Sequence, residues 1–314
     1  MQPTGRWKLG LFLASLTALM WGFLPVALKA LLEGMDPYTI TWYRFLVAAL
    51  LLGGFLAKKR RLPSPSRLDR RGRILLIVSI LGLVANYVLY LVGLNWVTPA
   101  TSQMVIQLAP MFLLLGGLVF FRESFQIRQW VGFFVLLGGL LLFFNDRLAD
   151  LTSGGGAYYA GVLITIVAAV LWAAYALIQK ELLRFFDSEQ ILVLIYAAAV
   201  LLIFPLADAG RLFALNRLQL VLLLFCCLNT LIAYGAFAEA LVHWEASRVS
   251  AVLAVAPLVT LLTVWAISRW FPAASIPEHL NALSVTGACL VVAGSMAASL
   301  ARRRNRPPVP RPME

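Results

Sequence analysis

Two stretches of the chain repeat each other 151 residues apart: Ala18-Leu-Met-Trp21 leads to Lys29-Ala-Leu-Leu32, and Ala169-Val-Leu-Trp172 leads to Lys180-Glu-Leu-Leu183. A second echo, at a spacing of 147, matches Pro99-Ala-Thr-Ser-Gln103 ahead of Ala109-Pro110 with Ala246-Ser-Arg-Val-Ser250 ahead of Ala256-Pro257. A third, at 155, sets Gly132 and Gly139 against Gly287 and Gly294. The growth in spacing places about eight extra residues in one late loop of the second copy, near Trp270 to Glu278. The chain reads as a duplicated unit, and what each copy contains decides how the two can sit together.

Each copy is too apolar for water. Hydrophobic residues make up 61% and charged residues 13% of the chain, with a mean hydropathy of +0.87; a soluble domain is near half apolar and about a quarter charged. Apolar runs fit to cross a bilayer, which takes roughly 17 to 25 residues, extend from Leu9 to Leu32, Tyr38 to Leu56, Ile74 to Leu94 and Ala100 to Phe121, with a shorter one from Trp130 to Phe144. The second copy supplies Tyr158 to Leu183, Gln190 to Ala207, Leu218 to Ala238, Ser247 to Ile267 and Asn281 to Ala301. Lipid cannot satisfy backbone polar groups and period-2 alternation is absent, so these runs are predicted helices. Ten spans make five per copy, and an odd number forces the copies to face opposite ways across the membrane. The expected fold is an all-α membrane protein of ten transmembrane helices in two inverted five-helix repeats, residues 1–149 and 150–301, followed by a disordered cytoplasmic tail, 302–314.

A formal net charge of +12 raises the question of nucleic acid. The distribution answers it. With both termini cytoplasmic, 20 of the 26 Lys and Arg fall on that side and four on the other, with Lys29 and Arg44 inside spans. This is the positive-inside asymmetry, so the basic excess reports orientation and contact with anionic membrane lipid, and no nucleic-acid partner is expected. The first apolar run is too long for a signal peptide and carries Trp21 and Pro25, so it is expected to stay as a helix.

No catalytic or metal site is expected. Both histidines, His243 and His279, lie at helix ends or in loops, the cysteines lack metal spacing, and no HExxH motif, paired carboxylates or nucleophile elbow occurs. Gly154 to Gly156 lacks the Lys-Ser/Thr of a phosphate loop and reads as a hinge between the copies. No cofactor follows.

The informative chemistry is polar and aromatic, within the spans. Asn86, Tyr90 and Gly93 share one face of span three, with Tyr87 beside it; Gln103 and Gln107 are four apart in span four; Trp172, Tyr175 and Gln179 follow at three and four in span six; span eight offers Asn229 and Tyr234. Such groups are costly toward lipid and should face the bundle interior, either as interhelical hydrogen bonds or as the wall of a cavity. Trp21 and Trp172 hold equivalent places in the two copies. Pro110 and Pro257 each remove a backbone hydrogen bond and mark a hinge or a static kink. Arg44 either attracts an anionic group near the outer opening or pairs with Glu33, Asp36 or carbonyls. Lys29 and Lys180 read as snorkelling anchors. No acidic residue lies deep in a span, so a facilitator or exchanger is expected, with Glu239 at the inner end of span eight the leading exception for coupling.

Together these features resemble the drug/metabolite transporter superfamily, EamA branch: the small-x-x-Trp opening of each copy, Ala-Pro in spans four and nine, Arg44 in span two, the Phe121-Arg-Glu123 ending of span four and the Gly-rich fifth span. The second copy departs from this pattern, with Ala173 where Gly22 stands, Trp270 at Glu123 and Ile195-Tyr196 near Arg44. The resemblance implies a central cavity lined by spans one, three, four, six, eight and nine, and export of amino acids and related metabolites. The expectation is a secondary transporter in the inner membrane exporting a small zwitterionic metabolite, alone or as a weak homodimer. A multidrug exporter is the alternative, and a membrane enzyme or lipid-handling protein a remote one.

Overall fold

A computed structural model describes residues 4, 6–64, 68–121, 126–147, 156–271 and 280–300. Arg122, Glu123, Gly154, Gly155, the insertion over residues 272–278, His279 and the tail lie outside the described residues. Within them the backbone forms twelve α-helices and no strand: α1 Trp7–Leu31, α2 Pro37–Lys58, α3 Arg70–Trp96, α4 Pro99–Val105, α5 Leu108–Phe121, α6 Ile127–Phe143, α7 Ala157–Leu182, α8 Ser188–Ile203, α9 Arg217–His243, α10 Ala246–Leu253, α11 Ala256–Trp270 and α12 Ala282–Leu300. Nine stretches among the described residues are long and apolar enough to cross a membrane, counting Pro99–Phe120 and Arg248–Trp270 each as one, and α6 is a shorter apolar helix. The protein is a multi-pass membrane protein.

The helices begin where polar caps allow. Asp36 Oδ1 accepts from the amides of Tyr38 and Thr39 at 2.9 and 3.0 Å, ahead of Pro37 in the first turn of α2. Asp69 accepts from Gly72 N to start α3, and Thr98 from Thr101 N to start α4. At the other end of α3, Lys29 reaches across from α1 and donates to the carbonyls of Leu94, Asn95 and Val97 at 2.9, 2.9 and 3.0 Å. Lys29 is therefore a C-terminal cap on α3, placed where the helix dipole is negative. Lys180 is exposed near the end of α7.

The two proline-bearing spans are broken, not merely kinked. Pro110 is the third residue of α5 and Pro257 the second of α11, so each begins a helix in the first turn, where an amide hydrogen is not needed. One turn earlier the chain tightens: Gln107 N bonds to Met104 O and Ala109 N to Ile106 O, and in the second half Val255 N bonds to Val252 O and Leu258 N to Val255 O.

The largest helix interfaces join the first half of the chain to the second. α1 packs on α9 and α11; α7 packs on α3 and α5; α2 meets α8, and α6 meets α12. The α6–α12 contact explains the duplicated glycines. A Cβ on Gly132 would lie 2.6 Å from Gly294 O, one on Gly294 2.6 Å from Gly132 O, and one on Gly139 2.7 Å from Gly287 O. Only hydrogen fits at those crossings, and the backbones approach as small residues permit in membranes.

Candidate functional site

Aromatic side chains from α1, α2, α3, α7, α8 and α9 meet inside the bundle. Trp21 lies edge-on to Tyr234 with centroids 5.4 Å apart and tilted against Phe237 at 5.9 Å. Tyr87 and Tyr175, buried at 6% and 3% exposure, share one packed cluster with Phe45 and Tyr196, and Trp172 and Tyr234 pack against it. Phe45 stacks on Tyr196 at 5.5 Å and tilts on Tyr87 at 4.7 Å. Tyr90 packs against the neighbouring cluster built from α1, α2, α3 and α9. Gly22, beside Trp21, is where α1 approaches α11: a Cβ there would be 2.5 Å from Val259 Cβ, and Thr260 Oγ1 donates to Gly22 O at 2.6 Å. At Gly22, α1 is thereby held against the start of α11.

The polar residues divide into two groups. Asn86 donates to Ala168 O of α7 and Asn229 to Met20 O of α1, each at 2.7 Å. These two asparagines tie helices together. The face of α3 that carries Asn86 and Gly93 is the α7 contact, since a Cβ on Gly93 would lie 3.0 Å from Gly161 O. The glutamines belong to the breaks. Gln107, in the gap between α4 and α5, donates from Nε2 to Ala254 O at 3.3 Å, in the gap between α10 and α11. The two interruptions are thus in direct contact. Gln103 is buried on α4.

Glu239 is exposed, and its Oε1 lies 3.1 Å from Nε2 of buried His243, whose Nδ1 meets Thr4 Oγ1 at 2.7 Å. Arg44 is buried in α2. Its Nε donates to Thr230 Oγ1 of α9 at 3.1 Å, and its guanidinium carbon lies 4.7 Å from the Tyr87 ring centroid. The pairing with Glu33 or Asp36 considered from sequence is not made: Asp36 caps α2 and Glu33 is exposed. Thr230 goes unmarked in the sequence, since nothing in an apolar run distinguishes an interior threonine from a lipid-facing one, and Tyr196 stands out there only as part of the second copy's departure near Arg44. Among the described residues no three His, Cys, Asp or Glu side chains gather where they would hold a metal ion.

The model of the EamA-like transporter family matches this chain twice, over residues 8–145 and 159–300. The chain belongs to the EamA-like transporter family. Other members are similar along its length. An "uncharacterized inner membrane transporter YhbE" of Escherichia coli K12 is 41% identical over 297 residues, 94% of this chain and 92% of the relative. An "uncharacterized transporter" of Haemophilus influenzae is 39% identical over 295 residues, 94% and 96% of the two chains. A more distant relative, a "probable amino-acid metabolite efflux pump" of Escherichia coli K12, is 23% identical over 295 residues, 90% of this chain and 92% of its own. A crystal structure of a protein 16% identical superposes with a TM-score of 0.64, covering 94% of this chain and 98% of that one, a likeness of fold. The protein is a membrane transporter.

Proposed function

We propose that this chain is a secondary transporter exporting a small metabolite, an amino acid or related zwitterion, across a bacterial inner membrane by alternating access. The observation that carries the reading is the meeting of two broken helices through Gln107 and Ala254, with Val252 and Leu253 just before the second break packed in one cluster with Phe237, the ring that rests against Trp21. Interrupted helices at mid-bundle are where carriers place their substrates. Aromatic walls with a few placed polar groups suit a small amphipathic ligand. The amino-acid efflux pump named above, distant as it is, supports the same class.

The architecture we assign is ten spans, α6 being the tenth, in two inverted repeats, residues 1–149 and 150–301. Its support is the pattern of interfaces. α1 with α9 is answered by α7 with α3, α1 with α11 by α7 with α5, while α2 with α8 and α6 with α12 answer themselves. A twofold exchange of the halves produces this pattern, and an odd span count then inverts them. The lysine and arginine asymmetry supports cytoplasmic termini. Trp21, Tyr87, Tyr90, Gln103, Gln107, Trp172, Tyr175 and Tyr234 form the proposed site, and Pro110 and Pro257 sit at the moving joints.

Uptake into proteoliposomes, with a panel of labelled amino acids and cationic dyes, tests the reading. Saturable uptake of amino acids is expected. Carriage of dyes and of no amino acid would replace it with the multidrug reading, which the aromatic walls also suit.

A further inference from the structure

Arg44 is the only Lys, Arg, Asp or Glu among the described residues that is buried, with 3% exposure. It is the eighth residue of α2, about 10 Å along the helix from Pro37. Its Nε is held by Thr230 Oγ1, whose own hydrogen goes to Cys226 O at 3.1 Å, and its face rests on Tyr87. With Nε engaged and one face on Tyr87, the donors left over are those of the fork, Nη1 and Nη2. That fork has no hydrogen-bond or ion-pair partner among the described residues. The acids at this end of the bundle are engaged elsewhere or exposed: Asp36 caps α2, Asp208 pairs with Arg211 at 3.4 Å, and Glu33 is exposed. The equivalent position of the second copy is Ile195, so the duplication supplies no opposite charge.

A buried cation without a counter-charge is costly in a membrane protein, and where one is kept it marks a path for ions or substrates. The fork of an arginine fits a carboxylate with two parallel hydrogen bonds. Thr230, which holds Arg44, lies one turn before Tyr234 on the same face of α9, and Tyr234 meets Trp21. Four residues of helix, about 6 Å along its axis, separate the anchor of the cation from the aromatic pair. An amino acid spans that distance from its carboxylate to an aromatic side chain.

We propose that Arg44 receives the carboxylate of the transported substrate, whose apolar or aromatic side chain lies against Trp21 and Tyr234, so that the substrate class is carboxylate-bearing. This rests on the transport reading above and narrows it. The fork grips both oxygens, and a substrate without a carboxylate leaves the charge unpaired.

The test is uptake into proteoliposomes of labelled phenylalanine, phenylalaninamide and ethidium, each corrected for protein-free liposomes. The wild type is expected to favour phenylalanine over its amide at least tenfold. Arg44→Gln should lower phenylalanine uptake about 10- to 100-fold, the loss of hydrogen bonds to a charged group, and leave amide uptake within about twofold. Arg44→Lys should be slower yet keep the preference for the acid. Equal carriage of acid and amide by the wild type overturns the proposal, as does an Arg44→Gln protein that loses both in proportion or keeps the preference. Carriage of ethidium and of neither phenylalanine compound overturns the amino-acid reading itself, which is a different result. If Arg44→Gln does not fold, Thr230→Val, which frees Nε, should reduce the acid-to-amide ratio severalfold; an unchanged ratio overturns the proposal.

Discussion

Trp172 and Lys180 sit two turns apart on α7 and do different work. Trp172 packs against the cluster of Tyr87, Tyr175 and Tyr196, whereas Lys180 is exposed at the helix end. Trp172→Ala is expected to reduce transport by about tenfold or more, since truncating a well-packed aromatic anchor costs 2 kcal/mol or more, while Lys180→Ala stays within about twofold of the wild type. Equal rates for the two variants in proteoliposomes would remove Trp172 from the site. Lys29 belongs to stability. Its ammonium holds three carbonyls at the end of α3, and Lys29→Met should destabilise the protein by about 1.5–3 kcal/mol, read as a lower thermal unfolding temperature in detergent. The sequence marked Lys29 as special through its repeat at Lys180. It did not reveal the difference between them, because a lysine's role depends on which carbonyls come within reach of its stem.

Prolines announce a break but not its neighbours. The pairing of Ala109-Pro110 with Ala256-Pro257 was visible in the chain, and the position of each break one turn upstream follows from the carbonyl that a proline ring displaces. That Gln107 would cross from one break to the other was not visible, since it requires the relative placement of α4 and α10. Pro257→Ala restores an amide donor and should make α10 and α11 more continuous. Transport is expected to slow severalfold with thermal stability unchanged or raised; an unaffected rate would show that the break is not a working joint. The α6–α12 crossing has the opposite sensitivity. Gly139→Val places carbon where Gly287 O and Val291 N already lie within 2.7 Å of a Cβ, and overpacking of this kind costs about 1–3 kcal/mol. A lowered unfolding temperature is expected, with Gly138→Val as control, since a Cβ on Gly138 meets nothing within 4 Å.

Because the main interfaces run between the halves, neither half carries a complete core of its own. Residues 1–149 and 150–314 expressed separately should be unstable, and expressed together should reassemble and transport; a stable, monodisperse single half would contradict this. Energy coupling is also a property of the whole carrier. No acidic side chain among the described residues is buried, and the nearest candidate, Glu239, is exposed beside His243. A facilitator or exchanger is therefore expected: liposomes with an imposed pH gradient should not accumulate substrate against its own gradient. Accumulation that Glu239→Gln abolishes would show proton coupling through this peripheral carboxylate.

Span positions, the duplication and the membrane class could be read from the chain alone, because hydropathy and repeat spacing are sums over neighbouring residues and lipid enforces helices within each run. Candidate residues were legible as a set for the same reason, since polar groups in apolar runs stand out. Their partners were not. Asn86 and Asn229 look like cavity residues and bond to the backbones of α7 and α1; Arg44 looks ready to pair with Asp36 and instead rests between Thr230 and Tyr87. Hydrogen bonds and ring contacts act over a few ångströms between residues up to 209 positions apart in these pairs, and only the packing of helices from opposite halves brings such residues into range.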